Sequence, residues 1–225
     1  MESFATIYQR ACDRKGGSEA LEALLPEVLS ADALRAIPDD RYLAQMAKSI
    51  FQSGFVWRVV ENKWPAFEDV FSDFNPVGVA NFSDEKIDKI AQDTRIIRHY
   101  KKVQAVRDNA SMILAFQSEY GSFSACIADW PESDIIGLWW KLKKEGSRLG
   151  GNTGPYVLRQ MGKATFILSN DVCHYLVSHN IVEQPPKSKR DLVQVQKFFN
   201  DLREKSGWNC ARLSRLIALS VGDNV

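Results

Sequence analysis

Leu149-Gly150-Gly151-Asn152-Thr153-Gly154-Pro155-Tyr156 is the stretch whose reading decides the fold. Three glycines within five positions, followed by proline, describe a tight turn that feeds the first turn of a helix. Such a turn leaves backbone N–H groups pointing outward, and with the positive helix end they suit a phosphate oxygen. Lys141, Lys143, Lys144 and Arg148 precede the turn, and Arg159 and Lys163 follow it. Basic residues on both sides of a backbone-donor turn suit a sequence-independent grip on a nucleic-acid backbone. The plain alternative is a glycine-rich surface connector flanked by solvated lysines, so the surroundings of the turn have to decide.

Outward from the turn, the apolar spacing is helical nearly everywhere. Upstream, helices are predicted over Ile135–Glu145 and Tyr100–Tyr120, and from Ser83-Asp84-Glu85 and Asn75-Pro76, which carry start signals. Leu43, Met46, Ala47 and Ile50 mark another from about Asp40 to Phe51. Near the N-terminus a short helix at Phe4–Cys12 is followed, across Gly16-Gly17, by a second whose stripe is Leu21, Leu24, Leu25, Val28 and Leu29. Downstream, Asp171–His179 is helical and Pro185-Pro186 breaks the chain. Ser188 starts a long amphipathic helix, with Leu192, Val195, Phe198, Phe199 and Leu202 inward, that ends at Gly207. A last helix carries Leu213, Leu216 and Ile217. No period-two alternation appears, and the fold class expected is all-α.

The chain has 225 residues, 45% of them hydrophobic, enough for one sizeable core or two small lobes. A formal net charge of +1 excludes a globally basic polyanion binder and confines any such site to a local patch. The four cysteines, Cys12, Cys126, Cys173 and Cys210, form no CxxC pair. With no signal peptide and no apolar run near the roughly 20 residues of a membrane span, the expectation is a cytoplasmic protein with reduced thiols.

Four blocks, in order, carry a resemblance. Phe51-Gln52-Ser53-Gly54-Phe55-Val56-Trp57 is similar to the GQQAGLSW segment of the 3-methyladenine DNA glycosylase I family. Phe67, Phe71 and Phe74-Asn75-Pro76 resemble its F-x-x-F-D-P. Residues 93–105, DTRIIRHYKKVQA, resemble its DAGIIRHRGKIQA, and Leu142-Lys143-Lys144-Glu145-Gly146 its LKKRG. The resemblance extends across residues 39–176, and the turn with its flanking helices resembles the helix–hairpin–helix of the wider glycosylase superfamily.

The resemblance implies a bilobal helical bundle with a helix–hairpin–helix near residues 138–162. Outside the resemblance, residues 1–36 are expected as an N-terminal extension packing with the C-terminal helices. Residues 37–182 form a glycosylase-like core, and residues 188–225 complete the second lobe. It implies a monofunctional DNA glycosylase, working as a monomer without cofactor or metal. Its partner is double-stranded DNA carrying a damaged base, extruded into a pocket before its N-glycosidic bond is hydrolysed. Substrate contacts fall on Ser49, Gln52, Phe55 and Trp57. DNA contacts fall on Arg98, Lys101, Arg148, Gly150, Gly151, Asn152, Thr153 and Gly154. Asp171 is the catalytic carboxylate, ahead of Glu61, the other acid considered for activating water.

The sequence also departs from the family. The base-binding glutamate eight residues before the pocket tryptophan is Ser49 here, and the superfamily's aspartate position is Ser169. The N-terminal C-x-W of the family's zinc site is absent. The alternative these losses raise is a non-catalytic helix–hairpin–helix protein that binds damaged or distorted DNA.

Overall fold

The computed structural model describes residues 2–221; of the ends of the segments expected to pack together, Met1 and residues 222–225 lie outside the described residues. Fourteen α-helices are seen among them and no strand. They are α1 (Phe4–Lys15), α2 (Ser18–Glu22), α3 (Ala31–Ala36), α4 (Asp39–Gln52), α5 (Trp57–Val70), α6 (Pro76–Ala80), α7 (Asp84–Gln92), α8 (Tyr100–Tyr120), α9 (Phe123–Asp129), α10 (Ile135–Glu145), α11 (Thr153–Gln160), α12 (Asn170–Ser178), α13 (Lys189–Ser206) and α14 (Cys210–Ser220). None is long and apolar enough to cross a membrane among the described residues.

The chain divides into two compact units. One comprises Met1–Leu29, Pro131–Gly137 and Gly162–Val225; the other comprises Ser30–Trp130 and Leu138–Met161. In the first, α14 is the central helix, and α1, α12 and α13 pack on it. Phe166 and Phe199 stack with ring centres 4.4 Å apart. Glu2 ties the start of the chain down: its carboxylate accepts from Arg10 Nη1 at 2.6 Å and from the Tyr175 hydroxyl at 3.1 Å. The Ser188 hydroxyl and the Asp191 side chain form a capping box at the start of α13, and Gly207 closes it in the left-handed region.

The second helix of the N-terminal segment is shorter than its leucine stripe predicts. It stops at Glu22, where Leu24 and Leu25 donate to the carbonyls of Leu21 and Glu22 in a tightening turn. Pro26 has no N–H to continue the ladder and disfavours helical backbone at Leu25. Leu21 is fully buried, whereas Leu24 and Leu29 are exposed.

In the second unit, α4 and α8 pack on each other and support the rest. Tyr42, Leu43, Met46, Ala47, Ile50 and Phe51 bury one side of α4. An aromatic file beside it runs through Phe67, Trp64, Phe74 and Phe71, with neighbouring centres 5.3–5.4 Å apart from Trp64 onward. Asp39 joins the start of α4 to that of α9: its carboxylate accepts the N–H groups of Phe123 and Ser124 at 2.8 and 2.9 Å. An acid at a helix N-terminus satisfies donors that have no intrahelical partner.

Candidate functional site

The candidate site lies within the second unit, where α11 packs on α4. α10 and α11 are joined by Gly146–Asn152, and the loop is held from beneath. Asn109, fully buried on α8, accepts the Ser147 N–H at 2.7 Å and donates to the Ser147 carbonyl at 3.1 Å. One side-chain amide thus clamps the loop backbone as a second strand would. Arg148 then takes φ +60°, and its Nε donates to the Lys101 carbonyl at 3.2 Å. The chain returns under itself: the Gly154 N–H donates to the Leu149 carbonyl at 3.1 Å. A Cβ on Gly154 would stand 2.6 Å from that oxygen, so this approach requires glycine. At the rim, the N–H groups of Gly150 and Gly151 meet no acceptor among the described residues.

Ser49, Gln52, Ser53 and Trp57, from α4 and the start of α5, face Asn152, Thr153, Tyr156 and Gln160 across a cleft of about 280 Å³. A second hollow, lined by Ile50, Ser53, Arg148, Gly150 and Thr153, shares Ser53 and Thr153 with it. The cleft therefore adjoins the hairpin. Trp57 and Tyr156 are both exposed enough to offer ring surface, at 54% and 36%.

The polar wall is largely wired within the protein. The Ser49 hydroxyl accepts from Gln45 Nε2 at 3.1 Å and donates to Gln160 Oε1 at 3.4 Å, and Gln45 Nε2 also donates to Gln160 Oε1. Gln52 is buried, and its Nε2 donates to Glu61 Oε1 at 3.1 Å. Glu61 is itself paired with Lys48 at 2.8 Å. Among the described residues, no carboxylate and no lysine line the cleft.

The link from α4 to α5 is anchored by a residue that motif reasoning passed over. Lys102, buried on α8, donates to the carbonyls of Phe51 at 3.3 Å and Ser53 at 2.6 Å, at the C-terminal end of α4. Burial, and then the nearby Arg148 guanidinium, hold its ammonium below the usual lysine range. A cation at a helix C-terminus meets the negative end of the helix dipole. The only signal for it in sequence is a lysine at an inward position of an otherwise apolar helix stripe.

Of the substrate-contact residues expected from sequence, Ser49, Gln52 and Trp57 line the cleft. The structure places the Phe55 ring over Lys102 Nζ, 4.5 Å from it, and leaves Phe55 and Val56 exposed at the α4–α5 link. Of the expected DNA contacts, Arg148, Gly150, Asn152 and Thr153 line the two hollows, and Gly151 is exposed on the turn. Gly154 is buried below it. Arg98 and Lys101 are exposed on the segment leading into α8 and on its first turn. Asp171 belongs to the other unit, in the first turn of α12, where Ser169 is the N-cap and accepts the Val172 N–H at 3.3 Å. Tyr156 and Gln160 were not legible as cleft residues, because their position depends on how α11 packs against α4.

Residues 35–158 match the family model described as methyladenine glycosylase. The chain is 36% identical over 66 residues to DNA-3-methyladenine glycosylase 1 of Escherichia coli (strain K12), covering 29% of this chain and 35% of that protein. It is 32% identical over 73 residues to the DNA-3-methyladenine glycosylase of Haemophilus influenzae, covering 32% of this chain and 40% of the other. The match thus spans well under half the length of these curated relatives. Among solved structures, 3-methyladenine DNA glycosylase I from Staphylococcus aureus superposes with a TM-score of 0.51 at 23% identity, over 62% of this chain and 80% of that one. The 8-oxoguanine glycosylase/lyase of Methanocaldococcus jannaschii, solved with DNA, gives 0.53 at 12% identity over 95% of each chain. At these identities both likenesses are of fold.

Proposed function

The chain belongs to the methyladenine glycosylase family, and from that premise we propose that it hydrolyses the N-glycosidic bond of alkylated purines of the 3-methyladenine kind in duplex DNA. The observation that carries the proposal is the adjacency of two features inside one unit. A cleft flanked by Trp57 and Tyr156 shares Ser53 and Thr153 with the hollow of the glycine-rich hairpin.

A base inside a duplex cannot be reached, so the nucleotide is taken out of the stack and its backbone is held while the base occupies a pocket. The hairpin suits the holding: the free N–H groups of Gly150 and Gly151 and the Arg148 guanidinium address phosphate oxygens without reading sequence. The cleft suits the base: ring faces favour a flat, electron-poor cation. The exposed apolar pair Phe55 and Val56 at the α4–α5 link suits support of the opened stack.

An alkylated purine already carries positive charge and leaves readily, so modest assistance is sufficient. The absence of a lysine from the lining supports water rather than an amine as nucleophile, hence a monofunctional enzyme. The lining also lacks a carboxylate, so the cleft itself supplies no acid to stabilise the developing oxocarbenium ion. Asp171 is the carboxylate that the superfamily resemblance assigns to catalysis. The same lack favours the second reading, a reader of damaged DNA that does no chemistry.

Release of free base from alkylated duplex DNA, followed by chromatography and mass spectrometry, decides between them. Release of 3-methyladenine by the wild type, and its loss in a folded, DNA-binding Asp171→Asn variant, is the expected result. DNA binding with no release from a broad lesion panel establishes the reader instead.

A further inference from the structure

We propose that Glu61 is a positioning residue that fixes the amide of Gln52 so that the cleft offers a carbonyl acceptor, selecting 6-aminopurines over 6-oxopurines. The inference rests on the reading of the cleft as a base site.

A glutamine side chain can present either end of its amide, and its neighbours decide which. Gln52 is 6% exposed and lines the cleft. Its Nε2 donates to Glu61 Oε1, 3.1 Å away. The reverse orientation would set the amide oxygen against a carboxylate oxygen with no proton between them. Glu61 is held in turn: its other oxygen meets Lys48 Nζ at 2.8 Å, and Lys48 lies 4.8 Å over the Trp64 ring. Gln52 Oε1 has no partner among the described residues and is not sealed from solvent. It is therefore the amide atom left for a ligand.

The Ser49 hydroxyl, by contrast, is engaged with Gln45 and Gln160. A base bearing an exocyclic amine at position 6 satisfies the Gln52 oxygen. A base bearing an oxygen there sets two acceptors together out of water, and site and ligand each lose a hydrogen bond. The Glu61 carboxylate also polarises the amide through the shared hydrogen bond. It thereby lends a cationic base part of the negative charge that Ser49 does not carry.

The test is binding of free 3-methyladenine and free 3-methylhypoxanthine, which differ at position 6, to the full chain by tryptophan fluorescence and calorimetry. The wild type is expected to favour the amine about tenfold or more, as unpaired buried acceptors require. In Glu61→Gln, residue 61 can donate to Gln52 as well as accept, and the preference falls to about threefold or less. Lys48→Met leaves the Glu61–Gln52 hydrogen bond in place and keeps the preference. Should Glu61→Gln not fold, Gln52→Leu removes the acceptor directly and abolishes the preference.

Equal binding of the two bases by the wild type, or an unchanged ratio in Glu61→Gln, overturns the proposal. Binding of neither base overturns both it and the assignment of the cleft. A retained ratio with no base release from DNA supports the proposal while sinking the enzymatic reading.

Discussion

Trp57 and Tyr156 reach one cleft from α5 and α11, two elements far apart in sequence. Each offers an exposed ring, and base–aromatic stacking contributes about 1–3 kcal/mol per contact. Tyr156→Ala is therefore expected to weaken binding of free 3-methyladenine by about tenfold, read by calorimetry, with little change in melting temperature because the ring is not core. Trp57 was legible because it stands in a quotable motif. Tyr156 was not, since nothing in TGPY says which helix will pack opposite. The same holds for Glu61: as an isolated acid it reads as a base for water, and only its hydrogen bond to Gln52 makes it a positioning group.

The elements that build the site are held by backbone contacts that pattern reading does not see. The start of α11 closes on the Leu149 carbonyl, so Gly154→Ala must move main chain rather than a flexible side chain. A loss of about 1–3 kcal/mol is expected by denaturant melting. Asn109→Ala leaves the Ser147 N–H and carbonyl without their buried partner, again at about 1–3 kcal/mol. It should also weaken binding to a DNA duplex, measured by anisotropy, because the hairpin loses its support.

The long helices were legible from spacing and caps: α8 runs over the Tyr100–Tyr120 expected, and α10 over Ile135–Glu145. The leucine stripe predicts a longer α2 than forms, because Pro26 ends the helical ladder that the stripe alone would continue. No helix is predicted over α5, which carries Pro65 inside it, although its apolar residues Val60, Phe67 and Val70 are buried.

For the whole molecule, near-neutral net charge means that any grip on DNA is local, and its salt dependence should be shallow. A slope of log K against log salt matching about two to four phosphates is expected, with Arg148→Glu lowering it. Stability should depend on acid through Glu2. Arg10 holds the Glu2 carboxyl below its ordinary value of 4.5. A lowered carboxyl contributes stability that is present above the unfolded value and is lost as pH falls through the folded one. Thermal melts of Glu2→Gln should match the wild type at the lowest pH and fall behind it above about 4.5.

Arg148 holds φ +60°, a backbone conformation that glycine adopts freely and arginine does not. Fold and site thus ask for different residues at one position. A chain selected for thermal endurance alone would drift to glycine there, while one selected on polyanions would keep the guanidinium. Arg148 can accordingly serve as a gauge of selection history. Where relatives of this chain carry a small residue at the turn, the proposed phosphate contact predicts weaker binding to DNA, and where they carry arginine against the conformational preference, it predicts that binding is kept.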